Sequence, residues 1–292
     1  MAQASSSPIA RMHSLALVCA SALSLLSPLT GVISPASSAE ADKISLKFDV
    51  IAHGTTVYDI GIDYSFSPGE YSAQVSAATT GLVGFFVDEQ LEMRASGSLD
   101  QSSVRPARFT YRETDSDGRK STEMRWGAAN VDVDRSYDLE EERARAIEQA
   151  IDKPLPDPLS GVLNAALSSS GKPCSGTQRV YDGKEVFALN FSYLGQTQFE
   201  EKNAAYRGPA YKCQVQYKSI AGLSKKKAER NRANPPVYTV WFAPVHAAAA
   251  NRDLLVPIAA TGTMKGRSVR IIARKASVNG TPLAKSARAA TE

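Results

Sequence analysis

Three kinds of side chain in this 292-residue chain could do chemistry: histidine, serine with a nearby lysine, and paired carboxylates. His53 and His246 are far apart in the sequence, whereas zinc needs three or four ligands that are usually partly clustered. Both read as surface or strand-end residues. Ser169-Ser-Gly-Lys172 and Ser224-Lys-Lys-Lys227 each match Ser-x-x-Lys. The first falls in a helix-ending turn and the second in a run of charge, and a nucleophile also needs a positioned base and oxyanion donors. No Gly-x-Ser-x-Gly occurs. Gly171-Lys172 lacks the earlier glycine of a phosphate loop, and Pro173 stands where Ser or Thr is required. Asp115/Asp117 and Asp132/Asp134 are i, i+2 pairs in turns and hairpins, where such residues mostly solubilise. No Asp-x-Asp-x-Asp-Gly calcium loop surrounds them. No catalytic, cofactor or metal-binding residue is assigned, and no cofactor is expected.

Three groups remain as candidates for binding or for holding structure. Lys225, Lys226, Lys227, Arg230 and Arg232 form a basic run. Its ordinary reading is a solvated loop between strands, and its sharper reading is an anion patch for lipid headgroups or phosphates. Cys174 and Cys213 are the only cysteines beyond the N-terminal region. In an exported chain an even count reads as a disulfide, and with no Cys-x-x-Cys a redox or metal pair is disfavoured. Aromatic residues recur at strand positions and belong mostly to a core. If the sheet curves without closing, Phe85, Phe86, Trp126 and Trp241 would line a concave apolar groove of acyl size.

The elements that must position these residues begin with an export signal. Arg11 and His13 precede the apolar run Leu15 to Leu29, and Ser37-Ser38-Ala39 supplies small residues for cleavage. Residues 1–39 are predicted to be removed, which takes the formal charge from +4 to +3 because Arg11 is the only charged residue lost. Val18 before Cys19 is a poor fit to a lipid-anchor signal. A mildly basic chain of this kind does not imply nucleic acid. No later stretch is long and apolar enough for a transmembrane segment.

From Ile44 onward the pattern is strand after strand. Ser45-Leu-Lys-Phe-Asp-Val50 alternates polar and apolar, and the first three strands predict a meander. Gly81-Leu-Val-Gly-Phe-Phe-Val87 breaks the alternation and predicts a bulged strand or a helical turn. Asp182-Gly183 is a hairpin signal. Leu139 to Ile151 predicts a charged helix with a thin apolar stripe. The strongest helix signal is residues 157–170. Asp157 suits the N-cap and Pro158 the first turn, and Leu159, Val162, Leu163, Ala166 and Leu167 make one apolar stripe. The reading is therefore mainly β: a strongly curved antiparallel sheet or half-closed barrel with one helix packed against it. It has a single domain at 40–274 and a disordered basic tail at 275–292.

Pro106-Ala-Arg-Phe-Thr-Tyr111, Met124-Arg-Trp126, Asp157-Pro-Leu-Ser160, Tyr181-Asp-Gly-Lys184 and Val240-Trp-Phe-Ala-Pro244 occur in an order that resembles domain-of-unknown-function family 3108. Those are exported β-rich proteins of Gram-negative bacteria, and the likeness covers residues 44 to 274. The resemblance implies a periplasmic location and a curved sheet, and carries no reaction with it. Such a sheet is also similar to the half-closed barrels of periplasmic lipoprotein carriers, an analogy of fold alone. The expected function is a non-enzymatic periplasmic protein that binds an apolar ligand (lipid or acyl group) or an envelope protein, in cell-envelope maintenance. Its rivals are a periplasmic hydrolase using carboxylates of the concave face and a scaffold that pairs through an edge strand.

Overall fold

The structure is a computed structural model that describes residues 42–84, 89–100, 103–116, 118–167, 173–248, 252–264 and 267–283. The expected signal peptide lies outside the described residues. The first seven strands follow one another as β1 (Asp42–Ala52), β2 (Thr55–Ser67), β3 (Glu70–Thr79), β4 (Gln90–Leu99), β5 (Val104–Asp115), β6 (Gly118–Trp126) and β7 (Val131–Arg135). After two helices come β8 (Gly176–Tyr181), β9 (Val186–Phe199), β10 (Gly208–Ala221), β11 (Val237–Ala247), β12 (Arg252–Met264), β13 (Arg267–Val278) and the short β14 (Thr281–Pro282). The helices are a single turn α1 (Gly81–Gly84), then α2 (Glu141–Ala150), α3 (Pro158–Leu167) and α4 (Lys225–Ala233).

All the strands belong to one antiparallel sheet, ordered β7-β6-β5-β4-β3-β2-β1-β13-β12-β11-β10-β9-β8, with β14 on β13. This is two consecutive meanders joined where β1 pairs with β13, Ile44 opposite Val278 and Ala52 opposite Val269. Most strands within each meander are joined by short turns, while α1 sits between β3 and β4 and α4 between β10 and β11, so register within each meander is set between neighbours in sequence. The single long-range pairing is the central one. Alternation fixes which face goes inward: Ile44, Leu46, Phe48 and Val50 of β1 are buried, while Lys43 and Lys47 between them are exposed.

The chain leaves the sheet at one edge, β7, and re-enters at the other, β8. The sheet rolls until these edges approach. Arg135 on β7 donates from Nε to the carbonyl of Gly183 (2.5 Å) and from Nη2 to the hydroxyl of Tyr181 on β8 (2.6 Å). Trp126 donates from Nε1 to the Leu155 carbonyl (3.0 Å), and the Tyr181 amide donates to Pro156 O (2.9 Å). Residues 155–156 thus lie between the two edges and the sheet stays open. Gly183 (φ +89°) sits so close to β6 that a methyl group there would collide with Thr122.

The inside of the roll is filled with side chains. Phe66, Phe109, Met124, Ile44, Leu46, Ile258 and Tyr206 are each less than 2 % exposed. The helix α3 adds Leu159 and Leu163 to this core. It lies against β8 at Gly161, where any Cβ would meet Val180.

Two local expectations need correction, and a third alternative is decided. The basic run is helix α4 rather than a loop, because Lys, Arg and Ala are strong helix formers even without an apolar stripe. The tail does not start at 275: β13 continues to Val278 beside β1, and Leu283 is 1 % exposed in the core. Residues 81–84 take the helical-turn alternative, while Phe85 and Phe86 lie outside the described residues.

Candidate functional site

The two cysteines are joined as a disulfide, with Cα atoms 6.1 Å apart across 39 residues. It lies in a small apolar cluster with Phe242, Phe191, Tyr211, Val240 and Leu255, apart from the main core. Its role is to tie the segment that enters β8 to β10.

Carboxylates that could do acid–base work are held in structural contacts. Asp157 is fully buried, and its Oδ1 accepts the amides of Leu159 (2.9 Å) and Ser160 (3.0 Å), so it caps α3 as its position in the sequence predicts. The Ser160 hydroxyl donates to Asp157 Oδ2 and is 2.6 Å from the Tyr71 hydroxyl on β3. Burial pushes the Asp157 carboxyl up to about 6, against the opposing pull of the three bonds from Ser160 and Leu159. Burial also raises Tyr64 to about 12, helped by the Asp157 charge. Near the seam, Asp182 Oδ1 accepts the amides of Lys184 (2.9 Å) and Glu185 (2.7 Å), closing the hairpin turn. Glu185 accepts from the Tyr217 hydroxyl and Glu113 from that of Tyr111. Burial raises Asp182 and Glu185 above the ordinary carboxylate range. Each acid serves a turn, a cap or a tyrosine.

The predicted aromatic groove is not assembled from the residues that can be described. Trp126 is half-buried at the seam, bonded to Leu155. Trp241 packs on Phe199 with ring centres 6.1 Å apart, and Lys212 Nζ stands 5.6 Å over its ring. The cavity beside Trp126 is lined by Pro154, Gln178 and their neighbours and does not include Trp241. His53 sits exposed in the β1–β2 turn, and His246 Nδ1 is 2.9 Å from Asp253 on the surface. Ser169 and Lys172 lie outside the described residues.

The basic residues, in contrast, do come together. Lys225, Lys226, Lys227, Arg230 and Arg232 are all exposed on α4. The three lysines crowd the first turn, where the helix dipole already presents positive potential, so they reinforce it. Lys225 is paired with Glu142 of α2 at 3.1 Å. Between α4, the end of β10 and Ala146 of α2 lies a cleft of about 480 Å³. Its apolar walls are Ile220, Leu223, Ala228 and Pro235, and Lys218 and Arg232 give it charge.

A bulge makes this cleft apolar. The β10–β9 register shifts between Ser219 and Ala221, which leaves Ile220 without a partner, and a bulge re-aims the extra side chain. Ile220 is 41 % exposed as a result. Arg143 of α2 donates from Nε to the Gly222 carbonyl (2.6 Å) and anchors the turn beneath it. Ile220 and Leu223 were not among the site residues expected from sequence. The nearest signal is the break in strand alternation at Ser219-Ile-Ala-Gly-Leu223.

These features define the class: an open, rolled antiparallel sheet, locked at its seam by buried polar contacts, with its accessible cleft on the outside beside a cationic helix. The chain belongs to the family described as protein of unknown function (DUF3108), whose sequence pattern matches residues 43–258. No curated protein matches it. Among solved structures it is similar to a beta-barrel-like protein of domain of unknown function DUF1849 from Brucella abortus. That similarity has 10 % identity and a TM-score of 0.42, and covers 82 % of this chain and 98 % of that one.

Proposed function

We propose that this chain is an exported, non-enzymatic binding protein of the periplasm that holds an anionic amphiphile, a lipid or acyl group, in the cleft beside α4, in cell-envelope maintenance. One observation carries this reading. The 480 Å³ cleft joins apolar side chains, Ile220, Leu223, Ala228 and Pro235, to polar ones, Gln216, Ser219 and Asn231, with Lys218 and Arg232 as its cations, whereas the inside of the roll is occupied by core side chains. An acyl chain would cover Ile220 and Leu223, and its acidic head would meet Arg232 and Lys218. The cleft volume lies within the range of small-molecule sites.

The rival readings find less support. A hydrolase would need free acids facing a pocket, and Asp157, Asp182, Glu185 and Glu113 all have partners. A scaffold that pairs through an edge would use β7 or β8. The first is five residues long with Arg135 turned to the seam, and the second has its Tyr181 amide bonded to Pro156.

A titration with a fluorescent long-chain fatty acid tests the reading. Saturable binding is expected, weakened by salt. Ile220→Asp and Arg232→Glu should each weaken it about tenfold, from the loss of one buried aliphatic contact or one charge-assisted bond. Affinity in both variants equal to that of the unaltered protein would overturn it. N-terminal sequencing of periplasmic protein checks the location, with Glu40 as the expected first residue.

A further inference from the structure

The outer face of β1–β5 carries a second site, distinct from the cleft by α4. Side chains that point outward there fall into cross-strand rows fixed by the register. In one row Lys43 stands opposite Ser65, Ser65 opposite Ser72, Ser72 opposite Ser96 and Ser96 opposite Arg108. Four residues further along, Lys47, Gly61, Ser76, Glu92 and Arg112 form another row, and between the two Ser45, Asp63, Gln74, Arg94 and Thr110 form a third. Lys43 and Lys47 therefore stand on β1 and Arg108 and Arg112 on β5, and the strands between them carry serines and Gly61 with Asp63, Gln74, Glu92 and Arg94 among them. Four strand spacings put the backbones of β1 and β5 about 19 Å apart. The short side chains of Gly61, Ser65, Ser72, Ser76 and Ser96 leave room between the longer ones, which makes a trough. Its first part is a cavity of about 650 Å³ bordered by Lys43, Arg94, Arg108 and Arg112, and the next, of about 800 Å³, shares Arg112 and sets Lys47, Arg119, Arg274 and Lys275 against the carboxylates Asp49, Asp59 and Glu92.

The charges do not cancel. The first cavity has those four cations and the single carboxylate Asp63, whose Oδ1 accepts from Ser45 at 2.6 Å. Glu92 is shared by Arg94 (2.5 Å) and Arg112 (3.7 Å), and Glu123 by Arg108 (2.9 Å) and Arg125 (2.5 Å). Each acid steadies two guanidinium groups and neutralises one charge. The side chains of Arg94, Arg108 and Arg112 are still 56–57 % exposed, so they can turn a fork toward a ligand.

We propose that this trough binds a hydroxylated ligand bearing two or more phosphoryl groups, a phosphorylated saccharide. Guanidinium forks on β5 and lysines on β1 suit oxyanions at the ligand's two ends. The serine hydroxyls and Gln74 suit the hydroxyls of its body. The ligand is either free in solution or the headgroup of a glycolipid.

Two probes separate these sources: glucose 1,6-bisphosphate by calorimetry, and co-sedimentation with phosphatidylcholine vesicles that carry bisphosphorylated lipid A. Salt-sensitive binding is expected to at least one. Arg108→Ala with Arg112→Ala should weaken it tenfold or more. Ser72→Trp, which fills the trough at an exposed position without changing charge, should do the same. Lys225→Glu/Lys226→Glu/Lys227→Glu changes the net charge far more, and should leave trough binding intact while it weakens fatty-acid binding at α4. Binding of the free bisphosphate makes the ligand soluble, and binding to vesicles alone makes it a headgroup. Binding to neither probe would overturn the proposal, as would a loss in the α4 variant equal to that in the trough variants. The fatty-acid titration reads the other cleft, so either site can fail without the other.

Discussion

Asp157→Asn is the sharpest perturbation of the buried cap. In the folded chain the Asp157 carboxyl is raised from 3.8 to about 6, chiefly by burial. The folded state therefore holds its proton when the unfolded state has lost it. At pH 3 both states are protonated and the contribution to stability is complete. As pH rises through 4 to 6 the unfolded chain ionises first, and stability falls. Above 6 the deficit is full, at about 3 kcal/mol for a displacement of this size. Asparagine keeps the cap: its oxygen can accept the Leu159 and Ser160 amides, and Asn is as good an N-cap as Asp. Its amide can donate to the Ser160 hydroxyl, as the protonated acid does. Urea unfolding of both proteins across pH 4 to 7 gives a difference from which Asp182 and Glu185, shifted in the same direction, largely cancel. That difference should move in favour of the variant by about 2.4 kcal/mol between pH 4 and 7. A difference that stays flat, or moves in favour of the wild type, would refute the account of Asp157 as a carboxylate ionised against its surroundings.

Other perturbations probe the frame. Replacing Cys174 and Cys213 together by serine opens a 39-residue loop and should cost about 4 kcal/mol in the chain-entropy model, read as a lower urea midpoint. Gly161→Ala forces a methyl group onto Val180 and should cost about 1–3 kcal/mol through overpacking. Adding Val180→Ala should recover part of that loss in a double-mutant cycle. Arg135→Ala removes one of the two donors to the buried Gly183 carbonyl and leaves the Tyr181 hydroxyl at 3.2 Å, and should cost about 0.5–1.5 kcal/mol. Hydrogen exchange should then quicken at 181–185 and stay slow in β1 to β3.

What could be read from the sequence was local. The inward face of β1 follows from alternation at residues 44 to 50, and α3 follows from its cap and stripe. The hairpin at Asp182 follows from turn chemistry. What could not be read depends on pairing between distant residues. Nothing local says that β1 lies beside β13, and with that partner unknown the run after 275 looks like a polar tail. Trp126 and Trp241 do not share a cavity, because aromatic residues suit a core and a pocket equally well and their type alone does not say which. The cleft of α4 escaped for a different reason. A helix that is polar all round has no periodic signal, and a bulge such as that at Ile220 depends on the partner strand's length. The trough is an intermediate case. Ser65, Ser72, Ser76 and Ser96 are visible as short polar residues at alternating positions, but only the register lines them up between Lys43 and Arg108.

Asp157, Ser160 and Thr122 are three of the few polar side chains buried among the described residues, and the seam accounts for them. A sheet of consecutive meanders can lie open or roll, and apolar packing inside favours rolling without fixing how far. The contacts that set the closure are directional. Arg135 reaches Tyr181 and Gly183, Tyr71 reaches Ser160, and Trp126 reaches Leu155. Each spans the gap between one meander and the connection or strand beyond it, and each would leave an unsatisfied buried group if the roll opened or tightened. The segment 136–175 crosses between the edges, so its length and its cap at Asp157 decide where they meet. On this account the polar contacts at the seam are a latch, and the surfaces left to meet other molecules are the ones outside it.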